Sequence, residues 1–351
     1  MNNATNEAVS LLKELIAIPS QSRNESAAAD KIAAFIEGKS LDMHRCGNNV
    51  YSLSSDFSDS RPTLLLDAHI DTVKVAYGWK HDPYVPTEED GKLYGLGSND
   101  DGGSLVSLLE AYIAVCNKRL PYNIVFSASA EEEVSGKGGV EMALREFPPI
   151  SAGIVGEPTG LQPAVAEKGL MVIDFVAHGK AGHAARNEGV NAVYKAVEDI
   201  DRIKNLRFHR HSDLLGDSCA TVTIINAGTQ HNVVPAECTF TADVRSNELY
   251  TNQELFDIIS AAVECEAKAR SFRLNSSGIS LNHPLVKNVL RMGKKPFGSP
   301  TLSNQALMPF PTVKIGPGES SRSHTADEYI KISEIDEAID FYTELLLGLE
   351  L

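Results

Sequence analysis

Short apolar runs alternate with amphipathic helical segments along the first third of the chain. The runs TLLLDAHID (63–71), NIVFSASA (123–130) and AGIVGEP (152–158) lack the strict alternation of apolar and polar residues that marks a half-exposed strand, and residues 104–115 between them have helical spacing. A strand that is apolar on both faces must be covered on both faces, as in a parallel sheet flanked by helices. The pattern therefore predicts an α/β domain with a mostly parallel sheet.

From Leu170 onward the predicted order changes to strand, helix, strand, strand, helix, strand. The strands are expected at 170–179, 220–228, 236–246 and near 272–280, and the helices at 190–203 and 251–269. This order is ferredoxin-like, and Thr251 with Glu254 has the spacing of a capping box at the start of the second helix. The α/β pattern returns after about residue 281. We therefore predict an α/β domain made of residues 1–168 and 281–351, with an inserted domain at 169–280.

The charge balance and the cysteines exclude several classes of protein. The 351 residues include 32 Lys and Arg against 47 Asp and Glu, so the formal charge is −15. Such an acidic chain is poorly suited to nucleic acid or to an anionic membrane surface. The five cysteines form no C-x-x-C pair, which argues against a disulfide framework and against a thiolate zinc site. No secretion signal and no apolar run of about 20 residues is found, so we expect a cytoplasmic protein.

Polar residues that can bind a metal follow one predicted strand after another. In an open α/β sheet the loops at the carboxyl ends of the strands build the active site. A further acidic pair, Asp100 and Asp101, stands just before a helix in YGLGSNDDGG. The residues that follow the strands are His69 and Asp71, then Glu131, Glu132 and Glu133, then Glu157, and finally His324.

Each of these residues also has a simpler explanation. His69 and Asp71 are two apart and point to one face of a strand, which suits a ligand and its orienting carboxylate, but a lone His can equally be hydrogen-bonded in a turn. Asp100 can cap a helix, and a run of three glutamates is usually a solvated loop. The prediction of a site therefore depends on all of these residues meeting at one edge of the sheet.

The order of the motifs resembles one family of enzymes. HID at 69–71, YGLGSNDDGG at 94–103, EEEVSG at 131–136, VGEPTG at 155–160, GKAGHAA at 179–185, NVVPAE at 232–237 and SH at 323–324 occur in that sequence. The chain is similar to the di-zinc amidohydrolases that include acetylornithine deacetylase, succinyl-diaminopimelate desuccinylase, aminoacylase and carboxypeptidase G. The resemblance implies a zinc-peptidase-like catalytic domain with an inserted ferredoxin-like lid that also serves for dimerisation.

The resemblance also implies a role for individual residues. Asp100 matches the carboxylate that bridges two zinc ions, and the peptide that follows it, Asp100–Asp101, is expected to be cis. His69 and Glu157 match the remaining ligands of one zinc ion, and Glu133 and His324 those of the other. Glu132 matches the general base, and Asp71 the residue that orients His69. Nitrogen and oxygen ligands suit zinc, two ions per subunit, with cobalt or manganese as alternatives.

Three residues of the inserted domain are expected to act on the substrate. His183 matches the lid histidine of the family, while Arg245 and Asn232 match residues that bind the substrate carboxylate. The alternative for Arg245 is an ion pair with Asp243 on the lid surface. Three departures from the family pattern are Glu131 in place of Asp, Asn187 in place of Pro, and Asn304 in place of Asp in a Ser-Asp pair.

The predicted activity is hydrolysis of the amide bond of an N-acyl amino acid. The expected partners are this small-molecule substrate and a second copy of the chain. The motifs are nearest to those of acetylornithine deacetylase-like enzymes of arginine biosynthesis. N-acetyl- and N-succinyl-ornithine or -citrulline are therefore the expected substrates. A dipeptidase or aminopeptidase on the same scaffold is one alternative, and a non-catalytic binding protein is another.

Overall fold

The computed structural model describes residues 3–186 and 188–351, so Asn187 lies outside the described residues. The helices are α1 Asn3–Ile16, α2 Ser26–Gly38, α3 Gly103–Val115, α4 Val140–Ala143, α5 Ala192–Asn205, α6 Asn252–Ala262, α7 Pro284–Arg291 and α8 Ile332–Leu347. The strands are β1 His44–Cys46, β2 Asn49–Leu53, β3 Thr63–His69, β4 Thr87–Glu89, β5 Lys92–Tyr94, β6 Asn123–Ser129, β7 Ala152–Val155, β8 Ala164–Glu167, β9 Met171–His178, β10 Gly182–His183, β11 Cys219–Ala227, β12 Val233–Val234, β13 Glu237–Arg245, β14 Glu266–Ala269, β15 Ser277–Gly278, β16 Phe297–Ser299, β17 Thr312–Lys314 and β18 Tyr329–Lys331.

A mixed sheet forms the centre of the first compact unit, which comprises Met1–Val165, Gly278–Phe297 and Ser303–Leu351. The strand order is β1-β2-β6-β3-β7-β17-β8-β15, with β16 beside β8. The four central strands β6, β3, β7 and β17 are parallel to one another, whereas β2 and β8 join them antiparallel. The predicted α/β class with a mostly parallel central sheet is therefore confirmed, and the antiparallel strands lie toward its edges.

The apolar runs explain why the central strands are buried on both faces. Every residue of β3 and β6 is buried. Because successive side chains of a strand point to opposite faces, Leu64 and Leu66 join one core with α1, α3 and α8, while Leu65 packs on the other face with Val140 and Phe147. Helical cover on both faces leaves the strand ends as the place where polar side chains can gather.

The second compact unit comprises Ala166–Ser277 and Gly298–Leu302 and contains an antiparallel sheet of order β11-β13-β9-β14. Buried and half-exposed residues alternate along β9 and β13. Their buried face packs against apolar residues of α5 and α6. The unit thus has the ferredoxin-like order that the sequence predicts, and Thr251 and Glu254 form the expected capping box.

The second helix of this unit is shorter than predicted. It ends at Ala262, and the last four residues of the predicted helix form β14 instead. The buried Asp199 carboxylate accepts the backbone N–H groups of Glu264 and Cys265 at 3.0 and 2.8 Å, which holds the chain out of a helix there. The fourth strand of this sheet is therefore β14 and not a strand near 272–280 as predicted, and the short strand β15 within that range pairs with the sheet of the first unit instead.

Among the residues that the structure describes, no helix has the length and apolar character needed to cross a membrane.

Candidate metal centre and active site

The carboxyl ends of β3, β6 and β7 lie at the same edge of the central sheet. The parallel register places His69 opposite Ser129, and Asp67 opposite Val155, so the loops that follow these strands start at the same level. The loops after β17 and before α3 reach the same edge. Together they bring the predicted site residues of the first unit into one cluster, namely His69, Asp71, Asp100, Glu132, Glu133, Glu157 and His324.

His69 is held in one orientation by two contacts. Its Nδ1 lies 2.9 Å from the backbone carbonyl oxygen of Asp71, which only accepts hydrogen bonds, so Nδ1 carries the hydrogen. The Asp71 carboxylate lies farther from the same nitrogen, at 3.4 Å. The Nε2 atom is consequently turned toward Asp100, whose Oδ1 is 3.1 Å away. This is the orientation that a metal-binding imidazole requires.

Asp71 also positions the loop of three glutamates. Its carboxylate accepts the backbone N–H groups of Glu132 and Glu133 at 3.0 and 3.2 Å and the hydroxyl of Ser22 at 2.7 Å. Glu131 is not part of the cluster, because its carboxylate accepts the N–H of Gly138 at 3.3 Å. Asp71 therefore fixes two site loops at once, which the sequence spacing alone did not predict.

Asp100 lies in a tight turn directly before α3. The Asp100–Asp101 peptide is cis, as the resemblance implied. Asp101 is buried, and its Oδ2 accepts the backbone N–H of His69 at 3.3 Å. Asp100 itself faces both imidazoles, since its Oδ2 lies 3.6 Å from Nε2 of His324. A carboxylate between two histidines has the position expected of a bridging ligand.

Glu328 holds the turn that carries Asp100. Its side chain is 2 % exposed. One carboxylate oxygen accepts the N–H groups of Asn99 and Asp100, both at 2.9 Å, and the other accepts that of Gly97 at 3.0 Å. Sequence reasoning missed Glu328, because a single Glu between His324 and β18 has no pattern that distinguishes it from a surface residue.

Glu25 is a second buried carboxylate that sequence reasoning missed. It is fully buried near the start of α2, and its Oε1 accepts the N–H of Glu131 at 3.2 Å and that of Arg23 at 2.5 Å. Its Oε2 accepts from the side-chain amide of Asn48 at 3.0 Å. In the sequence, Glu25 is only a glutamate beside a predicted helix start, where acidic residues are common.

The acidic residues of the cluster are crowded and buried. Burial, followed by the charge of Glu133, raises the pKa of Glu132 to about 8. Burial and the nearby Asp100 raise the pKa of Glu157 well above its ordinary value. Burial likewise raises the pKa of Asp101 to about 8. So much negative charge in a buried site is stable only if protons or cations compensate it.

The pKa values of the two histidines are also raised, which favours the charged form of each imidazole. Hydrogen bonding to Glu133 raises the pKa of His324 to about 9, and Nε2 of His324 lies 3.1 Å from Oε2 of Glu133. Burial lowers the pKa of His69, but its hydrogen bonds to Asp100 and Asp71 outweigh this and raise the pKa well above the ordinary value. The site therefore favours positive charge at both imidazoles, which a pair of metal ions also supplies.

The donor set fits a dinuclear metal site. His69, Glu132 and Glu157 bring one donor atom each within 4.8 Å of one another, and His69, Asp100 and Glu133 form a second such group. All donors are imidazole nitrogens or carboxylate oxygens, the combination that zinc and related divalent ions accept. The crowded acids thus have the chemistry needed to hold two divalent cations.

The three predicted residues of the inserted domain lie in the second unit. His183 and Asn232 are neighbours, because β10 pairs with β12 and the N–H of Ala184 donates to the carbonyl of Asn232 at 3.1 Å. Arg245 lies at the end of β13 and donates two hydrogen bonds to the carboxylate of Asp243, at 2.7 and 3.0 Å. The lid-surface ion pair considered from the sequence is therefore present.

Comparison with known proteins agrees with this architecture. The profile of Peptidase family M20/M25/M40 matches residues 65–348. The chain belongs to this family. An acetylornithine deacetylase of Proteus mirabilis (strain HI4320) is 27% identical, over 96% of this chain and 95% of the relative.

Two solved structures illustrate the shared fold. Aminopeptidase PepT from Bacillus cereus ATCC 10987 has a TM-score of 0.79 at 19% identity, with 97% of this chain and 98% of that chain covered. A protein from Bacillus subtilis described as a dinuclear metal-binding peptidase of the M20 family has a TM-score of 0.76 at 16% identity, with 98% of each chain covered. The family match makes the protein an M20-family hydrolase.

Proposed function

We propose that this M20 hydrolase cleaves the amide bond of an N-acyl amino acid and releases a carboxylate and the free amino acid. The observation that carries the proposal is the cluster of His69, Asp100, Glu133, Glu157 and His324 around Glu132 at the edge of the central sheet. The similarity to an acetylornithine deacetylase over nearly the whole chain supports N-acetyl-ornithine as a substrate, and N-succinyl-ornithine and the N-acyl-citrullines are proposed beside it. Arginine biosynthesis in the cytoplasm is the corresponding setting.

In this proposal Glu132 moves the proton. His69, Asp100, Glu133, Glu157 and His324 would hold two zinc ions per subunit, and these ions would lower the pKa of water and polarise the acyl carbonyl. Glu132 accepts a proton from the attacking water as its oxygen bonds to the acyl carbon, and then donates that proton to the nitrogen as the C–N bond breaks. Asp71 keeps Glu132 in place through the backbone N–H described above.

The second unit is proposed to act as lid and dimerisation module. Its edge strand β11 exposes Ile224 and Ile225, which are 50% and 51% accessible. An exposed edge strand with apolar side chains can pair with the same strand of a second copy. In such a homodimer His183 would reach the active site of the partner and donate a hydrogen bond to the carbonyl oxygen as negative charge develops there.

The substrate α-carboxylate is proposed to bind Arg245 with help from Asn232. Two of the N–H groups of Arg245 are used by Asp243, and a guanidinium has five. Asp243 thus holds the side chain without exhausting its donors. A planar pair of N–H groups suits a carboxylate, and Lys would not replace Arg well here.

A peptidase is the second candidate function, because aminopeptidase PepT shares the fold over nearly the whole chain. A parallel turnover screen separates the two candidates. It compares N-acetyl- and N-succinyl-ornithine and -citrulline with dipeptides and tripeptides that have a free amino terminus. The proposal predicts turnover of acyl amino acids. Turnover confined to peptides would contradict it and support the second candidate.

A further inference from the structure

An open cavity of about 440 Å³ adjoins the metal centre at Glu133 and His324. Its wall is completed by Val134 and by two short segments, 21–22 and 72–74. All of these residues belong to the first unit. A substrate bound at the metal centre therefore has room to extend in this direction within one unit of the chain.

The two segments of the wall are joined by hydrogen bonds. The N–H of Thr72 donates to the carbonyl of Ser20 at 3.0 Å, and Gln21 and Thr72 form a parallel bridge. The hydroxyl of Ser22 donates to Asp71 at 2.7 Å. These bonds connect the wall to the residue that orients His69, so the cavity has a fixed position relative to the metal ligands.

Lys74 supplies the positive charge of this cavity. Apart from His324, it is the only cationic residue in the wall, and it has no ion pair with any residue that the structure describes. Besides Glu133 and His324, the wall offers two valines, Val73 and Val134, and the neutral polar residues Gln21, Ser22 and Thr72. Apolar side chains and a cation in one wall are complementary to a short methylene chain that ends in a carboxylate.

We propose that this cavity binds the acyl chain of the substrate and that Lys74 recognises a carboxylate at its end, so that the preferred acyl group is a dicarboxylic one such as succinyl. The inference rests on the proposed amide hydrolysis and specifies its substrate class. The acyl carbon is the reacting atom, so the acyl chain must leave the metal centre through adjoining space. Because the whole chain has a formal charge of −15, a substrate with two carboxylates needs a local cation to be accepted.

The test compares two substrates of equal length with and without the terminal charge. N-succinyl-citrulline and its terminal carboxamide, N-succinamoyl-citrulline, are assayed with wild type, Lys74→Met and Lys80→Met. Lys80 is an exposed lysine of the same loop that does not line the cavity, so it is the matched control. We expect wild type and Lys80→Met to prefer the acid in kcat/KM by about two- to fivefold, because Lys74 is exposed and an exposed ion pair contributes only modestly. In Lys74→Met this ratio should fall to about one.

Other outcomes overturn the inference in distinguishable ways. Equal turnover of acid and carboxamide by wild type, or an unchanged ratio in Lys74→Met, would contradict it while the proposed hydrolysis stands. If Lys74→Met instead loses the discrimination between the α-carboxylate of citrulline and its amide, Lys74 binds the amino-acid end, and the inference is wrong. Absence of turnover with every N-acyl amino acid would contradict the proposed function itself.

Discussion

Replacing Glu328 by Gln tests whether this buried carboxylate holds the metal-binding turn. In the wild type it accepts three backbone N–H groups, from Gly97, Asn99 and Asp100. The amide oxygen of Gln can keep the two bonds from Asn99 and Asp100, but its NH₂ group would then face the N–H of Gly97. Burial raises the pKa of Glu328 to about 8, so the comparison is made at about pH 9, where its carboxylate is charged. One bond to a charged acceptor is then lost and the other two become bonds to a neutral one.

The expected loss of stability follows from this count of hydrogen bonds. A hydrogen bond to a charged group contributes about 1.5–3 kcal/mol, so the loss of one and the weakening of two should lower the free energy of unfolding of the metal-free protein by about 2–4 kcal/mol. Residues that orient metal ligands typically change metal affinity by about 10–100-fold. We therefore expect Glu328→Gln to bind zinc about 10–100-fold more weakly, because Asp100 is no longer held in place.

Two measurements on the same preparations decide the matter. Urea unfolding of the metal-free protein gives the stability, and competition with a chelator gives the zinc affinity. Asp199→Asn is the matched control, since Asp199 is also a buried carboxylate that accepts backbone N–H groups but lies in the second unit. The control should lose stability and keep its zinc affinity. Wild-type zinc affinity in Glu328→Gln, or an equal loss in Asp199→Asn, would refute the positioning role.

Three further predictions concern pH, a buried polar pair and the lid. Burial raises the pKa of Glu132 and Asp101 to about 8, above the value of the unfolded chain, so the free energy of unfolding of the metal-free protein should fall as pH rises from about 4.5 to about 8. Urea unfolding across this range measures the change, and a flat profile would contradict it. The amide of Asn304 donates to Asp67 at 3.0 Å in a buried network, so Asn304→Asp and Asp67→Asn should each destabilise the protein, while the double exchange recovers at least about 0.5 kcal/mol relative to additivity. Strictly additive losses of unfolding free energy would argue against this pairing. Mixing inactive Glu132→Gln with inactive His183→Ala subunits should restore about a quarter of wild-type activity if His183 acts across a dimer. No recovery after proven subunit exchange would place His183 elsewhere.

The sequence predicted that the side chains of the cluster at the sheet edge lie together because most of them follow strand ends. Uninterrupted apolar runs identify buried parallel strands, and the residues that follow such strands must meet at one edge of the sheet. His69, Glu132 and Glu157 could therefore be placed together before any distance was known. The order of the family motifs then identified Asp100 and His324, whose positions depend on turns rather than on strands.

The residues that support the site could not be predicted in this way. Glu328 and Glu25 accept hydrogen bonds from backbone N–H groups of distant segments. Every residue except proline has such an N–H group, so no residue type at a fixed spacing marks the partner in the sequence. The end of α6 was missed for the same reason, since it depends on Asp199, more than sixty residues earlier. Contacts between a side chain and a remote backbone group become visible only in the folded structure.

The zinc content and turnover of Glu132→Gln test the central claim most directly. Both are measured on an N-acyl amino acid that the wild type hydrolyses, with Glu133→Gln as the comparison. The account predicts that Glu132→Gln keeps both zinc ions and loses about 10²–10⁴-fold in kcat, whereas Glu133→Gln loses zinc. If Glu132→Gln retains more than about a tenth of the wild-type kcat with its metal in place, Glu132 is not the general base and the mechanism is wrong.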